Sequence, residues 1–363
     1  MTSHASTRSR RGRRIALGAA VLAPLTAAAL AVAAPARADA GLEQQRQPMP
    51  RAFGSVAGAP SASAAPGREQ ATASPSGGFL YRNGRYTALA SVAGLPTGDA
   101  AVNDRGQTTG SYFSGGTTIR GFIRYASGHA TGFDAAPGAT TDALAINDQG
   151  TVAGVYGVTT AHGFERSPDG TITTIDVPGA QGTYILGIND RGAVVGDYTD
   201  ASGLEHGFLL EHGVLTIIDP PGAPDSPAAR DTAATGINDR GQVVGYYADA
   251  SGTYHGYLYD HGRFTIIDPP GAADVPNFAT TAPWGINDRG QVVGQYVDAK
   301  SVLHGYLWQP GRGFATINAP RIIGFNRGVP GAGTVASDIN DQGQILLPAA
   351  GDLYKSRTVP VSS

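Results

Sequence analysis

The pair Asn-Asp recurs six times in this chain, at Asn103, Asn147, Asn189, Asn238, Asn287 and Asn340, at intervals of 44, 42, 49, 49 and 53 residues. A glycine stands three residues after each Asn, from Gly106 to Gly343. A tyrosine stands nine residues after it in five copies: Tyr112, Tyr156, Tyr198, Tyr247 and Tyr296. A Gly-Phe or Gly-Tyr pair follows at Gly121, Gly163, Gly207, Gly256 and Gly305, and an extra one, Gly78-Phe79, precedes the first Asn-Asp. A unit of this size cannot bury a core alone, so the copies must stack on one another. With 52 glycines, 24 prolines and many Thr, Val, Ile and Tyr, the units call for short strands and tight turns.

Each unit reads as four strands. In the copy at Gly236, the strands run over 233–238, 242–248, 254–259 and 263–268. The turns between them are Asp239-Arg240-Gly241, Ser251-Gly252 and His261-Gly262, and Pro269-Pro270-Gly271 ends the unit. Four antiparallel strands per unit of about 45 residues is the pattern of a β-propeller blade, so the fold class is all-β. The two chain ends set the blade count. The hairpin at Gly78 has no partner before it, and the Asn340 hairpin is followed only by a degraded third strand over 351–355. Joined, the ends complete a sixth blade; if each end starts its own blade, there are seven.

Four units carry a His before the Gly-aromatic pair: His162, His206, His255 and His304. A ring of histidines suggests a metal, but hairpin arithmetic points elsewhere. Across their hairpin turns, His162 faces Asp176, His206 faces Asp219, His255 faces Asp268 and His304 faces Asn318. In the first unit Arg120 faces Asp134, and in the N-terminal hairpin Gly77 faces Ala90, so the basic residue and the acid are lost together. These pairs read as structural braces within each blade, with no metal and no cofactor. The Asn-Asp-x-Gly segments read as self-capped turns, because one or two carboxylate oxygens per turn fall short of a calcium shell. The tyrosines read as blade-to-blade packing.

Residues 1–40 stand apart. Arg8, Arg10, Arg11, Arg13 and Arg14 precede an apolar, alanine-rich run over 15–34, and small-x-small sites follow at Ala36-Arg37-Ala38 and Ala38-Asp39-Ala40. This is the layout of a secretory signal peptide, with Arg-Arg pairs resembling a twin-arginine signal. The expected product is secreted. Its charge follows from 26 − 6 = 20 basic and 29 − 1 = 28 acidic residues, a net −8 against −3 for the whole chain. An acidic surface disfavours nucleic acid and anionic membranes. The chain has no cysteine, so the exported fold stands without disulfides. Residues 41–76 read as an Ala/Ser/Pro/Gly linker, 77–357 as the repeat domain and 358–363 as a tail.

With these motifs in view, the chain resembles the HAF-repeat family of extracellular repeat proteins. The family pattern is Gly-Ile-Asn-Asp-x-Gly-x-Val-Val-Gly followed by His-Ala-Phe. Here the triplet is His-Gly-Phe at His162 and His206 and His-Gly-Tyr at His255 and His304. The resemblance covers 77–355 and implies export and a repeat β fold, without an activity.

No nucleophile elbow, His-Glu-x-x-His or phosphate loop is present. The unrepeated text concentrates in three segments after the fourth strands, all leaving on one face of the ring: 224–232, 273–284 and 321–333. Loops on one face of a rigid scaffold are where function concentrates. The expectation is a monomeric binding module for an extracellular glycan or protein, with Trp284, Phe278, Asn277, Phe325, Arg327 and Arg230 as contact residues. Two alternatives stay open. One is a polysaccharide hydrolase or lyase using Asp225, Asp231 or Asp274; the other is a matrix protein without a discrete ligand.

Overall fold

In the computed structural model the structure describes residues 78–95, 97–115, 118–223, 232–274, 281–318 and 333–348. The expected signal peptide, linker and C-terminal tail lie outside them. Among the described residues every regular element is a strand, and the strands form six four-stranded antiparallel sheets. Blades 1 to 5 span 97–133, 140–175, 182–218, 232–266 and 281–317, each in simple chain order. Blade 4 illustrates the boundaries: Thr232–Ile237, Val243–Ala248, Tyr254–Asp260 and Arg263–Ile266.

The sixth blade is built from both chain ends. Asp338–Ile339 and Ile345–Leu347 supply its two inner strands, and Phe79–Arg82 and Arg85–Ala88 its two outer ones. Phe79 lies opposite Leu347 and Tyr81 opposite Ile345. The ring therefore has six blades, closed by the N-terminal hairpin.

The Gly-aromatic motif holds the seams between blades. Phe164, Phe208, Tyr257 and Tyr306 are fully buried, each in a cluster with side chains of the preceding blade. Phe79 does the same between blades 5 and 6. Full burial of one such ring contributes about 1.5–3 kcal/mol, so the repeated aromatic supplies each seam with a large apolar term.

A second repeated letter has a steric cause. The first strand of each of blades 1 to 5 carries a bulge at the residue three before the Asn: Ala100, Leu144, Leu186, Thr235 and Trp284. The facing glycine of the second strand is pressed against the bulged strand. A Cβ on Gly245 would overlap the Ala233 carbonyl and the Tyr257 hydroxyl, so Val-Val-Gly ends on glycine for lack of space.

Candidate functional site

The Asn-Asp turns meet on the ring axis. All six Asn side chains are buried, and each works in two directions. Oδ1 accepts the backbone N–H four residues on, from Gln107, Thr151, Ala193, Gln242, Gln291 and Gln344, at 2.9–3.0 Å. Nδ2 donates to the backbone carbonyl of the next blade's Asn at 2.9–3.1 Å, and Asn340 returns to Asn103.

The aspartates make a second ring. Each Asp N–H donates to Oδ1 of the next blade's Asp at 2.7–2.8 Å, from Asp104 to Asp148 and round to Asp341 and back. Self-capping thus accounts for the Asn Oδ1 and, in four turns, for an Nδ2 bond to the Gln side chain four residues on at 2.8–3.0 Å; the Asn amide also binds the neighbouring blade, as does the Asp carboxylate. Ring closure is the reason: six like turns on one axis bring each carboxylate against an adjacent N–H. Burial raises the carboxyls of Asp148, Asp190 and Asp341 above the ordinary aspartate value. The N–H donor opposes that rise, and the other ring carboxylates add to it.

A cavity of about 110 Å³ lies on the axis at these rings. The position two before each Asn, Ala101, Ala145, Gly187, Gly236, Gly285 and Asp338, is small in five of the six blades and brings main chain to its wall. Leu144, Leu186, Thr235 and Trp284 line it from the bulges. Leu144 and Leu186 also join Ala233 in a buried cluster, with Ala100, Val155, Tyr184 and Tyr246 packed on it. Among the described residues no three His, Asp or Glu side chains are grouped to hold a metal ion.

Trp284 corrects the sequence reading. It was expected in a surface loop, but it lies in the strand Thr281–Ile286, is 8% exposed and meets Tyr246 edge-on at 5.9 Å. Its unrepeated identity reflects the bulge, where each blade presents a side chain to the shared axis. Phe278, Asn277, Phe325, Arg327, Arg230, Asp225 and Asp231 lie outside the described residues. Asp274 is exposed in the segment after blade 4.

Where the first strands begin, on the face from which those loops leave, other unrepeated side chains stand half-buried: Asp142, Tyr184 and Tyr246. Asp142 accepts the Ser111 hydroxyl at 2.8 Å. Burial pushes its carboxyl up, and that hydrogen bond partly offsets the rise. Sequence reasoning passed over these three because they sit inside repeated strands. The signal was present: five residues before and eight after the Asn, the copies disagree.

The hairpin pairs are in contact. His162, His206 and His255 place Nδ1 2.9, 2.9 and 2.7 Å from Asp176, Asp219 and Asp268. His304 Nδ1 is 3.0 Å from Asn318 Oδ1, and Arg120 grips Asp134 through Nε and Nη2 at 2.7 and 2.9 Å. Three blades add an acid from the preceding turn, with His206, His255 and His304 Nε2 at 3.5, 3.5 and 3.2 Å from Asp200, Asp249 and Asp298.

The repeated tyrosines serve this brace as well as the seams. Tyr156, Tyr198, Tyr247 and Tyr296 lie 5.0–5.4 Å from the His of their own blade, centroid to centroid. Blade-to-blade packing accounts for only part of their role. Burial works against the His255 proton, but Asp268 and then Asp249 outweigh it and raise its pKa. Asp249 is lowered to about 2, first by the Ser251 hydroxyl.

No protein-family model and no curated protein matches this sequence. Among solved structures, the chain is similar to TolB from Acinetobacter baumannii, with 13% identity and a TM-score of 0.45, covering 75% of this chain and 63% of that one. It is similar to the six-bladed fucose-recognising lectin of Aleuria aurantia, with 13% identity and a TM-score of 0.43 over 69% and 88% of the two chains. Virginiamycin B lyase from Staphylococcus aureus follows, with 13% identity and a TM-score of 0.40 over 70% and 78%. The chain thus spans less than two thirds of TolB, and these likenesses concern the fold alone.

Proposed function

We infer that this chain is an exported, non-enzymatic binding propeller of the HAF-repeat type, which holds an extracellular glycan or protein on the face where the fourth strands end. One observation carries the reading. The repeated residues are engaged in rings, braces and seams, whereas Asp142, Tyr184 and Tyr246 are unrepeated, half-buried and on that face. The long unrepeated segments leave the fourth strands on the same side. Aromatic side chains and a carboxylate on one face suit the apolar faces and hydroxyls of a sugar or a polar peptide segment.

The test incubates the chain from residue 41 onward with a panel of soluble and insoluble polysaccharides and cell-wall preparations. Bound protein and newly released reducing ends are read in the same tubes. Retention without release is expected. Release would replace the reading with a hydrolase or lyase and direct mutation to Asp142 and Asp274. Neither signal would move the search to protein partners or a matrix role.

A further inference from the structure

The seam between blade 6 and blade 1 differs from the other five. Four residues before the Asn, blades 2 to 6 carry Ala143, Ile185, Ala234, Pro283 and Ala336, and blade 1 carries Asp99. Five residues after it, they carry Val152, Val194, Val243, Val292 and Ile345, and blade 1 carries Thr108. Asp99 is fully buried as a side chain and pairs with Arg124, itself 3% exposed. Thr97 and Thr108 donate their hydroxyls to the two oxygens of Asp99. A buried ion pair stabilises a fold less than apolar packing of the same volume does, so its presence at this one seam calls for a specific task.

The pair reaches across the seam to both ends of the N-terminal hairpin. Gly78 N–H donates to Asp99 Oδ2 at 3.3 Å, and Arg124 Nη2 donates to the Ala90 carbonyl at 2.6 Å. These are the positions where the other blades hold their brace. In blade 4, Gly256, the counterpart of Gly78, donates its N–H at 3.0 Å to Asp268, the brace acid. Leu89 N–H donates to the Gly78 carbonyl just as Ile267 N–H donates to that of Gly256. Ala90 occupies the place of Asp268 and Gly77 that of His255, so blade 6 has no brace of its own.

We propose that the Asp99–Arg124 pair is the latch of ring closure: blade 1 supplies across the seam the acid and the cation that blade 6 lacks. The N-terminal hairpin is then held by a neighbour's buried ion pair in place of a brace of its own, and its release opens the propeller at a single seam. Blade 6 is suited to this role, because its inner strands are only two and three residues long. Asp338 adds a second seam-specific contact by accepting Val102 N–H at 2.9 Å.

Hydrogen exchange by mass spectrometry tests the latch. In the full chain, residues 79–88 should exchange faster than the outer hairpin of blade 3, residues 205–218. The variant Asp99→Ala/Arg124→Leu gives blade 1 an Ala like Ala143, Ala234 and Ala336 of blades 2, 4 and 6 and a Leu like Leu210 of blade 3 at these places, so the fold survives. Exchange over 79–88 should then rise about a hundredfold while 205–218 is unchanged. Adding Gly77→His and Ala90→Asp rebuilds a brace within blade 6 and should restore protection. Wild-type exchange over 79–88 no faster than over 205–218 would overturn the proposal. So would an even rise across all blades, or no protection returned by the rebuilt brace.

Discussion

Replacing Asn238 by Ala removes one member of the axial ring without touching the hydrophobic seams. Four bonds go: Nδ2 to the Asn287 carbonyl and to Gln242 Oε1, both at 3.0 Å, and the N–H groups of Arg240 and Gln242 to Oδ1 at 3.1 and 3.0 Å. A buried polar group left unsatisfied costs about 1–3 kcal/mol. The Asn287 carbonyl is shut in by the ring and bears that cost in full; the two turn amides are nearer to solvent and recover part of theirs from water. The expected loss is about 2–4 kcal/mol, read as a lower urea midpoint with an unchanged slope. Asn238→Asp keeps the size and the acceptor but turns an oxygen toward the Asn287 carbonyl, so at neutral pH it should be no milder than Asn238→Ala. A loss within about 0.5 kcal/mol, the range of ordinary surface substitutions, or a fully stable Asn238→Asp variant would refute the inter-blade role of the amide.

Asp190→Asn keeps the acceptor for the Asp148 N–H and removes a half-buried charge. Because the folded value of Asp190 is raised, its penalty is present at neutral pH and eases as pH falls toward that value. Asp190→Asn should therefore match or exceed wild-type stability at pH 7 while Asp190→Ala loses stability; equal losses in both would contradict this. His255 has a raised folded value, so its contribution is fully present below the ordinary histidine value of about 6.5 and is lost as pH rises through the folded one. A double-mutant cycle of His255→Ala and Asp268→Ala should show coupling of about 1 kcal/mol at pH 6 and less at pH 9, and strict additivity at pH 6 would sink the brace. Gly245→Ala drives a methyl into the Ala233 carbonyl and should cost about 3 kcal/mol in thermal unfolding, whereas a neutral result would mean that the bulge relaxes freely.

The blades, the closing hairpin and the brace partners were legible in the sequence, because each depends on spacing within one unit. Hairpin pairing needs only a turn and a count: Gly121 opposite Phe133 and Gly163 opposite Ile175 place Arg120 and His162 against their acids. The two axial rings were hidden. Nothing within one copy of Asn-Asp shows that its amide and carboxylate face the next copy, since that contact exists only once six copies share an axis. Trp284 was misplaced for a related reason. It varies because the bulge faces the axis, and variability was taken as the mark of a loop. Asp99 and Arg124 were passed over as ordinary strand residues, although Asp99 and Thr108 break the apolar pattern at two repeat positions.

The central claim is that the repeated residues build the scaffold and the unrepeated face holds the ligand. It is tested most directly by retention of two variants on whichever polysaccharide or cell-wall fraction holds the wild-type chain. One variant, Phe278→Ala/Phe325→Ala/Arg327→Ala, alters the loops after the fourth strands. The other, Arg191→Ala/Arg240→Ala, alters the opposite face beside the aspartate ring. The account predicts that retention falls at least about tenfold in the first, as expected when hot-spot contacts are removed, and is unchanged in the second, with both chains folded. Loss in the second alone, or equal retention in all three, would contradict it.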